Sequence, residues 1–384
     1  MSDESATIFV PGLQDVVAAE TRLSKVDGRN GELIIAGFPV EELAPRASFE
    51  EVVYLLWHDA LPDREQLRAF REAIAVRQVL PGAVLDLLRA AAKNEAPAMD
   101  ALRMAAGALD LGTPEVRIGD ENYPEALALV ARVPAIVASY WRLSNHEDPI
   151  EPDPDLGYAE NYLYMLTGEV PDPEHSRALE TYLNTVVDHG MNASTFAARV
   201  IISTRSDIVS AVVGAIGALK GPLHGGAPGP ALDVVFEIGE KPKAEPILRS
   251  KIEVGERLMG FGHRVYKVRD PRADVLAAAA ERLYENAGDT DLYELALYVE
   301  ETAISLLEEH KPGRNLQTNV EFYTALLLHG VGLSTELFTP TFAVGRTAGW
   351  TAHCIEQQEV DRIIRPESAY TGPENRSWVP LDER

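Results

Sequence analysis

The sequence predicts an all-α protein with at most a small hairpin near its N-terminus. Two observations carry this. Apolar residues recur at helical spacing in segment after segment, each opened by a capping residue or a proline and closed by a polar or glycine-rich break. Beyond residue 37, β-branched runs with a period of two are almost absent. At 384 residues the chain exceeds one typical core, so two domains are expected.

Residues 8–46 read as short and irregular. Leu33-Ile34-Ile35, between Gly31 and Gly37, is the best strand candidate and forms half of the hairpin. Ser48-Phe49-Glu50-Glu51 is a capping-box sequence, followed by Val52, Val53, Leu55 and Leu56 on one helical stripe. Pro62-Asp63 opens a second helix running to about Arg77, and 82–93 form a third. Further helical runs are expected over 98–111, 123–143, 156–168 and 175–187. The stretch 146–155, with five acidic residues and three prolines, is a solvated loop too short to link domains. In 190–219, Ala193, Ala197, Ala198, Ala211, Gly214, Ala215, Gly217 and Ala218 keep two helical segments thin. Small residues let helix axes approach closely, in a tight monomer core or across a subunit interface. No repeat or low-complexity tract is present.

Composition excludes several function classes. The formal net charge is −25, from 60 acidic and 35 basic residues, which argues against nucleic acid or an anionic membrane as a main partner. Only eight of the basic residues are Lys. An acidic, lysine-poor surface fits work in concentrated salt, where the Debye length shrinks to about 3 Å; an ordinary acidic cytosolic protein is the alternative. The lone Cys354 permits no internal disulfide and reads as a buried, inert thiol. Met1-Ser2-Asp3-Glu4 lacks the basic start of a signal peptide, and the longest uncharged runs, such as 208–219, fall short of a membrane span. A cytoplasmic location is expected. No metal-ligand spacing, Walker A sequence or dinucleotide fingerprint appears.

The chemistry concentrates in 221–272. Gly221-Pro222-Leu223-His224-Gly225-Gly226 and Gly260-Phe261-Gly262-His263-Arg264 each place a histidine on glycine-rich backbone, where a tight turn or close approach to a ligand is allowed. Arg264, Lys267, Arg269 and Arg272 form a local cationic cluster in an acidic chain. Together they describe a site for a small, multiply charged anion with acid–base groups beside it.

These motifs resemble the citrate synthase family. The likeness extends to Asp188-His189 with Asn192-Ala193-Ser194-Thr195, to Asn319-Val320, to Phe342-Ala343-Val344-Gly345-Arg346 and to Arg365-Pro366. It runs from Gly12-Leu13 to the segment Trp350 to Gln357, and so covers nearly the whole chain. The resemblance implies an all-α homodimer, with a large helical domain (1–222 and 328–384) that makes the dimer interface and a small domain (223–327) that closes over the site. It favours the interface reading of the Ala/Gly-rich helices. It implies condensation of acetyl-CoA with oxaloacetate and hydrolysis of the citryl thioester, with no cofactor, since the coenzyme A thioester is itself a substrate.

Residue by residue, the resemblance makes His224 the donor to the thioester oxygen and His263 the donor to the ketone oxygen of oxaloacetate. Arg272, Arg346 and Arg365, the last reaching in from the partner subunit, match carboxylate contacts, for which planar guanidinium suits. His189 and Asn319 match further oxaloacetate contacts. Gly260, Phe261, Gly262 and Lys267 match the coenzyme side, with Arg314 a weaker match. The family base is an aspartate two residues after the Asn; this chain has Glu321 there. Glutamate keeps the acid–base chemistry and extends it by one methylene. The nearest rival activity is 2-methylcitrate synthase, which accepts propionyl-CoA. A catalytically silent paralogue that binds oxaloacetate or coenzyme A is the reading from another class.

Overall fold

The computed structural model describes residues 9–109, 123–225, 228–263, 265–266 and 268–384. Met1-Ser2-Asp3-Glu4, residues 110–111, Gly226, Arg264 and Lys267 lie outside them. Sixteen α-helices are present among the described residues. The expected hairpin pairs Ser24–Asp27 with Glu32–Ile35, and a two-residue third strand, Phe38–Pro39, extends it into an antiparallel sheet.

Local chemistry sets the helix starts. Ser48 and Asp63 each close a capping box, with Glu51 and Gln66 respectively, and so begin the helices Phe49–His58 and Arg64–Ala75. Asp172, Asn192, Asp207, Asp270 and Asn319 cap later helices with their side chains. Each such cap contributes about 1 kcal/mol. Proline stands in the first turn of Pro124–Ser144, Pro173–Val186 and Pro271–Ala287, where its missing N–H costs nothing. Gly82–Lys93 occupies the expected range. Tyr158–Thr167 falls inside its expected range, and the helix expected from 98 ends at Ala106.

The helix Phe338–Val360 is the axis of the core: Trp350 is fully buried, and apolar and polar residues alike are enclosed from Phe338 to Gln357. Around it pack Phe49–His58, Pro124–Ser144, Pro173–Val186, Ala193–Ile202 and Ile208–Leu219. Pro124–Ser144 is long and apolar enough to cross a bilayer, but 78% of its apolar window is buried inside the fold. It also carries the buried Arg132, whose Nε donates to the Arg77 carbonyl at 3.0 Å. Ala193–Ile202 and Ile208–Leu219 pack closely on each other; a Cβ on Gly214 would fall 2.2 Å from Ile201 Cδ1. Gly214 therefore serves contact within the chain, while Gly217 is exposed.

A second set of helices, Pro228–Ile238, Lys241–Glu253, Pro271–Ala287, Asp291–His310 and Val320–Gly330, packs mainly on itself. Its Pro271–Ala287 helix lies on Pro173–Val186 of the first set. The site forms where these two helices and their flanking loops meet. Cys354 is buried, and burial pushes its thiol up to about 12, well away from reactivity.

Candidate active site

A cleft of about 980 Å³ opens between the two sets of helices. Its lining draws together His189, His224, Gly262, His263, Arg272, Asn319, Glu321 and Arg346, which are up to 157 residues apart in sequence. Gly12, Leu13 and Asp15 form part of its mouth, with Gly28 and Arg29 from the hairpin turn.

His263 follows two glycines held at positive φ, Gly260 (87°) and Gly262 (79°), a conformation only glycine adopts without strain. Its Nδ1 accepts the backbone N–H groups of Val265 (3.0 Å) and Tyr266 (3.1 Å). These two shorter contacts put the neutral ring's proton on Nε2, which stands 3.5 Å from Arg272 Nη2. His189 stands edge-on to His263, with ring centroids 5.9 Å apart, and its Nε2 lies 3.1 Å from the Tyr266 hydroxyl. Burial, reinforced by Arg272 and Arg346, lowers His189 well below the usual histidine value, so it is neutral.

His224 sits on a turn closed by its N–H to the Gly221 carbonyl (2.9 Å). Burial, with Arg346 adding to it, lowers it to about 4. Its Nε2 is 2.7 Å from Ser194 Oγ, which also accepts the Trp350 indole N–H at 3.0 Å. Ser194 has one proton for two acceptors, His224 Nε2 and Asn192 Oδ1 at 2.8 Å. With the proton given to His224, the neutral ring holds its own proton on Nδ1. Ser194 was quoted in the sequence only as part of a motif; its tie to His224 depends on tertiary contacts that no local spacing reveals.

Two buried guanidinium groups supply positive charge. Arg272 is paired with Asp270 through Nε–Oδ1 (3.0 Å) and Nη2–Oδ2 (2.7 Å). Burial alone would lower its pKa, but the Asp270 charge offsets this and raises it. Arg346 has no carboxylate within ion-pair distance among the described residues. Its Nε donates to the Val186 carbonyl at 2.6 Å, and its guanidinium lies over the Phe342 ring at 4.8 Å. Burial lowers Arg346 to about 10, with Asp188 acting against the shift. A buried cation lacking a carboxylate partner at a cleft wall is costly unless an anionic ligand completes it.

Glu321 lies in the first turn of Val320–Gly330, its N–H donating to the Asn319 cap at 2.9 Å. Asn319 Nδ2 donates to the Gly262 carbonyl at 2.8 Å, which ties the helix start to the His263 loop. Burial raises the Glu321 carboxyl above its ordinary 4.5, while Arg257 and Arg272 pull it down. Arg257, which the sequence reading passed over, lines the cleft near this carboxylate.

The remaining sequence candidates lie elsewhere. Phe261 is not at the cleft: its side chain is buried against Phe322, with ring centroids 5.5 Å apart. The cause is strand-like pairing. Gly262 N–H donates to the Gln317 carbonyl (2.7 Å), Asn319 N–H donates to the Gly260 carbonyl (2.9 Å), and Phe261 bridges Thr318. Successive side chains then point to opposite faces, so Gly262 faces the cleft and Phe261 the core. Gly260 shares that backbone pairing and is absent from the cleft wall. Arg314 is exposed on a turn and Arg365 is exposed on the C-terminal extended segment; neither lines the cleft. Lys267 is outside the described residues. No cluster of three His, Cys, Asp or Glu side chains suited to a metal occurs among the described residues.

A family model, the citrate synthase C-terminal domain, matches residues 12–367. The chain belongs to the citrate synthase family. Among its relatives, "Citrate synthase 2" of Bacillus subtilis is 41% identical over 375 residues, covering 97% of this chain and 98% of that one. The citrate synthase of Haloferax volcanii is 41% identical over 380 residues, with the same coverage of 97% and 98%. A 2-methylcitrate synthase of Mycobacterium tuberculosis is 39% identical over 368 residues, covering 95% and 91%. The citrate synthase of Thermoplasma acidophilum, solved as a ternary complex with carboxymethyl coenzyme A and oxaloacetate, superposes with a TM-score of 0.87 at 33% identity, covering 97% and 98%. Citrate synthases are all-α enzymes with a large and a small domain, and this chain is an enzyme of that type.

Proposed function

We propose that this citrate synthase family member condenses acetyl-CoA with oxaloacetate and hydrolyses the resulting citryl thioester. The observation that carries the reading is the pairing of two buried guanidinium groups with a neutral imidazole, His224, and a carboxylate, Glu321, in one cleft. Glu321 takes a proton from the methyl group of acetyl-CoA. His224 donates from Nδ1 to the thioester oxygen, where the enolate charge develops. The enolate carbon attacks the ketone carbon of oxaloacetate, and His263 Nε2–H donates to the ketone oxygen as it becomes the hydroxyl of citryl-CoA. Water then adds to the thioester carbonyl, releasing citrate and the coenzyme A thiol. Arg272, Arg346, His189 and Asn319 hold the dicarboxylate, and Gly262, the one residue of the 260–262 loop on the cleft wall, lies along the coenzyme; Lys267 keeps its coenzyme role by resemblance alone.

Propionyl-CoA is the second substrate to weigh, because a 2-methylcitrate synthase stands among the relatives at similar identity. One methylene discriminates by only about 1–3 kcal/mol. Thiol release with oxaloacetate and each thioester, measured in molar KCl, decides. The proposal expects the higher kcat/KM with acetyl-CoA. A strong propionyl preference replaces it with 2-methylcitrate synthesis, and no thiol release with oxaloacetate binding intact replaces it with a silent ligand-binding role.

The reading extends to a cytoplasmic homodimer in which residues 223–327, a range ending inside the helix Val320–Gly330, close over the substrates. Arg365, exposed here and away from its own chain's cleft, then reaches the partner's oxaloacetate. Operation in concentrated salt follows from the net charge of −25, which molar salt screens.

A further inference from the structure

Behind the cleft lies a buried ionic network that the proposed chemistry does not use. Asp188, Arg199 and His353 are all fully buried. Arg199 Nη1 donates to His353 Nδ1 at 2.8 Å and to Glu356 Oε2 at 2.6 Å. Arginine has no acceptor, so His353 Nδ1 must accept, and the neutral ring carries its proton on Nε2. That proton is directed at Asp188 Oδ1, 3.1 Å away. One Asp188 oxygen is thus fixed by the helix Phe338–Val360. The close approach is allowed by Gly349, where a Cβ would stand 2.1 Å from the Val187 carbonyl oxygen.

The other Asp188 oxygen faces the first strand and the turn that follows His189. Oδ2 accepts from the Ser24 hydroxyl and from the Gly190 N–H at 3.2 Å, and the same N–H reaches Ser24 Oγ at 2.8 Å. Gly190 has φ +58°, a left-handed turn that this hydrogen-bonding holds in place. His189 is the residue between Asp188 and Gly190. Its ring has Tyr266 and His263 on its cleft side, and its own orientation is set by this turn.

We propose that Asp188, clamped by His353 behind and Ser24 of the first strand beside it, is a positioning residue that aims His189 at the dicarboxylate. Asp188 touches no substrate; it acts by fixing the backbone of the His189 turn. This inference rests on His189 facing oxaloacetate, as proposed above. Burial works to raise the Asp188 carboxyl, and His353, Arg346 and Ser24 more than offset it to give about 2, so Asp188 is a carboxylate at any working pH.

Asp188→Asn preserves shape but turns one oxygen into an N–H donor, which confronts either His353 Nε2–H or Gly190 N–H. Ser24→Ala removes one hydroxyl from a half-buried strand position, and Ser24→Thr restores it in a residue suited to a strand. Oxaloacetate affinity is read by calorimetry with oxaloacetate alone, beside KM for acetyl-CoA and the melting temperature. We expect Asp188→Asn to weaken oxaloacetate by about 10-fold or more and Ser24→Ala by about 3-fold or more, with Ser24→Thr within about 2-fold of the parent. KM for acetyl-CoA should stay within about 2-fold throughout. Oxaloacetate affinity unchanged in Ser24→Ala overturns the inference, as does an equal rise in both substrate constants. Should Asp188→Asn fail to fold, the Ser24 pair decides alone. Parental turnover with acetyl-CoA and propionyl-CoA tests the functional reading separately, since the binding comparison does not depend on the thioester.

Discussion

The inner end of the cleft and its mouth are built differently. At the inner end, Arg272 and Arg346 are buried, and each is anchored within the fold: Arg272 by Asp270, Arg346 by the Val186 carbonyl and the Phe342 ring. His189, His224 and His263 are likewise held by Tyr266, Ser194 and two backbone N–H groups. At the mouth, Arg29 and Arg257 are exposed, and Arg314 stands apart on its turn. On the proposed reading, a small rigid dianion is met by groups ordered before it arrives, so little entropy is lost on binding. On the same reading, the long flexible coenzyme meets exposed side chains that order only when it binds.

The contrast fixes the relative size of mutational effects. The largest expected effect on binding is at the inner end. Arg346→Leu fills the space but leaves a substrate carboxylate buried without its partner. Calorimetry should show oxaloacetate binding weakened by roughly 100- to 1,000-fold. A loss below about 10-fold would erase the distinction between the two ends. The smallest expected effect is on the outside: Arg314→Ala should change KM for acetyl-CoA by less than about 2-fold, as for an exposed charge in screened solvent. A large rise in that KM would extend the coenzyme site to the 311–314 turn and sharpen the map of the mouth.

The same contrast governs what the sequence made legible. Helix starts were readable because a cap is local: Ser48 with Glu51 and Asp63 with Gln66 lie three residues apart and need no tertiary knowledge. The inner-end set, from His189 to Arg346, was readable through its likeness to the family's motifs, and the cleft brings those residues together. Ser194 was not, because its function is defined by His224 thirty residues on and Trp350 beyond it. Phe261 is a different case. The resemblance sets the 260–262 loop along the coenzyme, whereas pairing of 260–262 with 317–319 imposes strand alternation and turns the Phe261 ring inward. Arg257 gave no signal at all, being one more exposed Arg until its loop is placed opposite Glu321.

The central claim is that Glu321 is the base. Burial raises its carboxyl above 4.5, and the base form is the ionised one, so activity should rise with pH through that raised value and level off above it. Burial lowers His224 to about 4, so it is neutral on the plateau above that limb. The direct measurement is the pH profile of kcat/KM for acetyl-CoA in the parent and in Glu321→Gln, with oxaloacetate affinity measured alongside. The account predicts an acid limb centred above 4.5 in the parent, a plateau lowered by about 100-fold or more in Glu321→Gln, and oxaloacetate affinity within about 2-fold. Near-parental condensation by Glu321→Gln, with its acid limb intact, would contradict it.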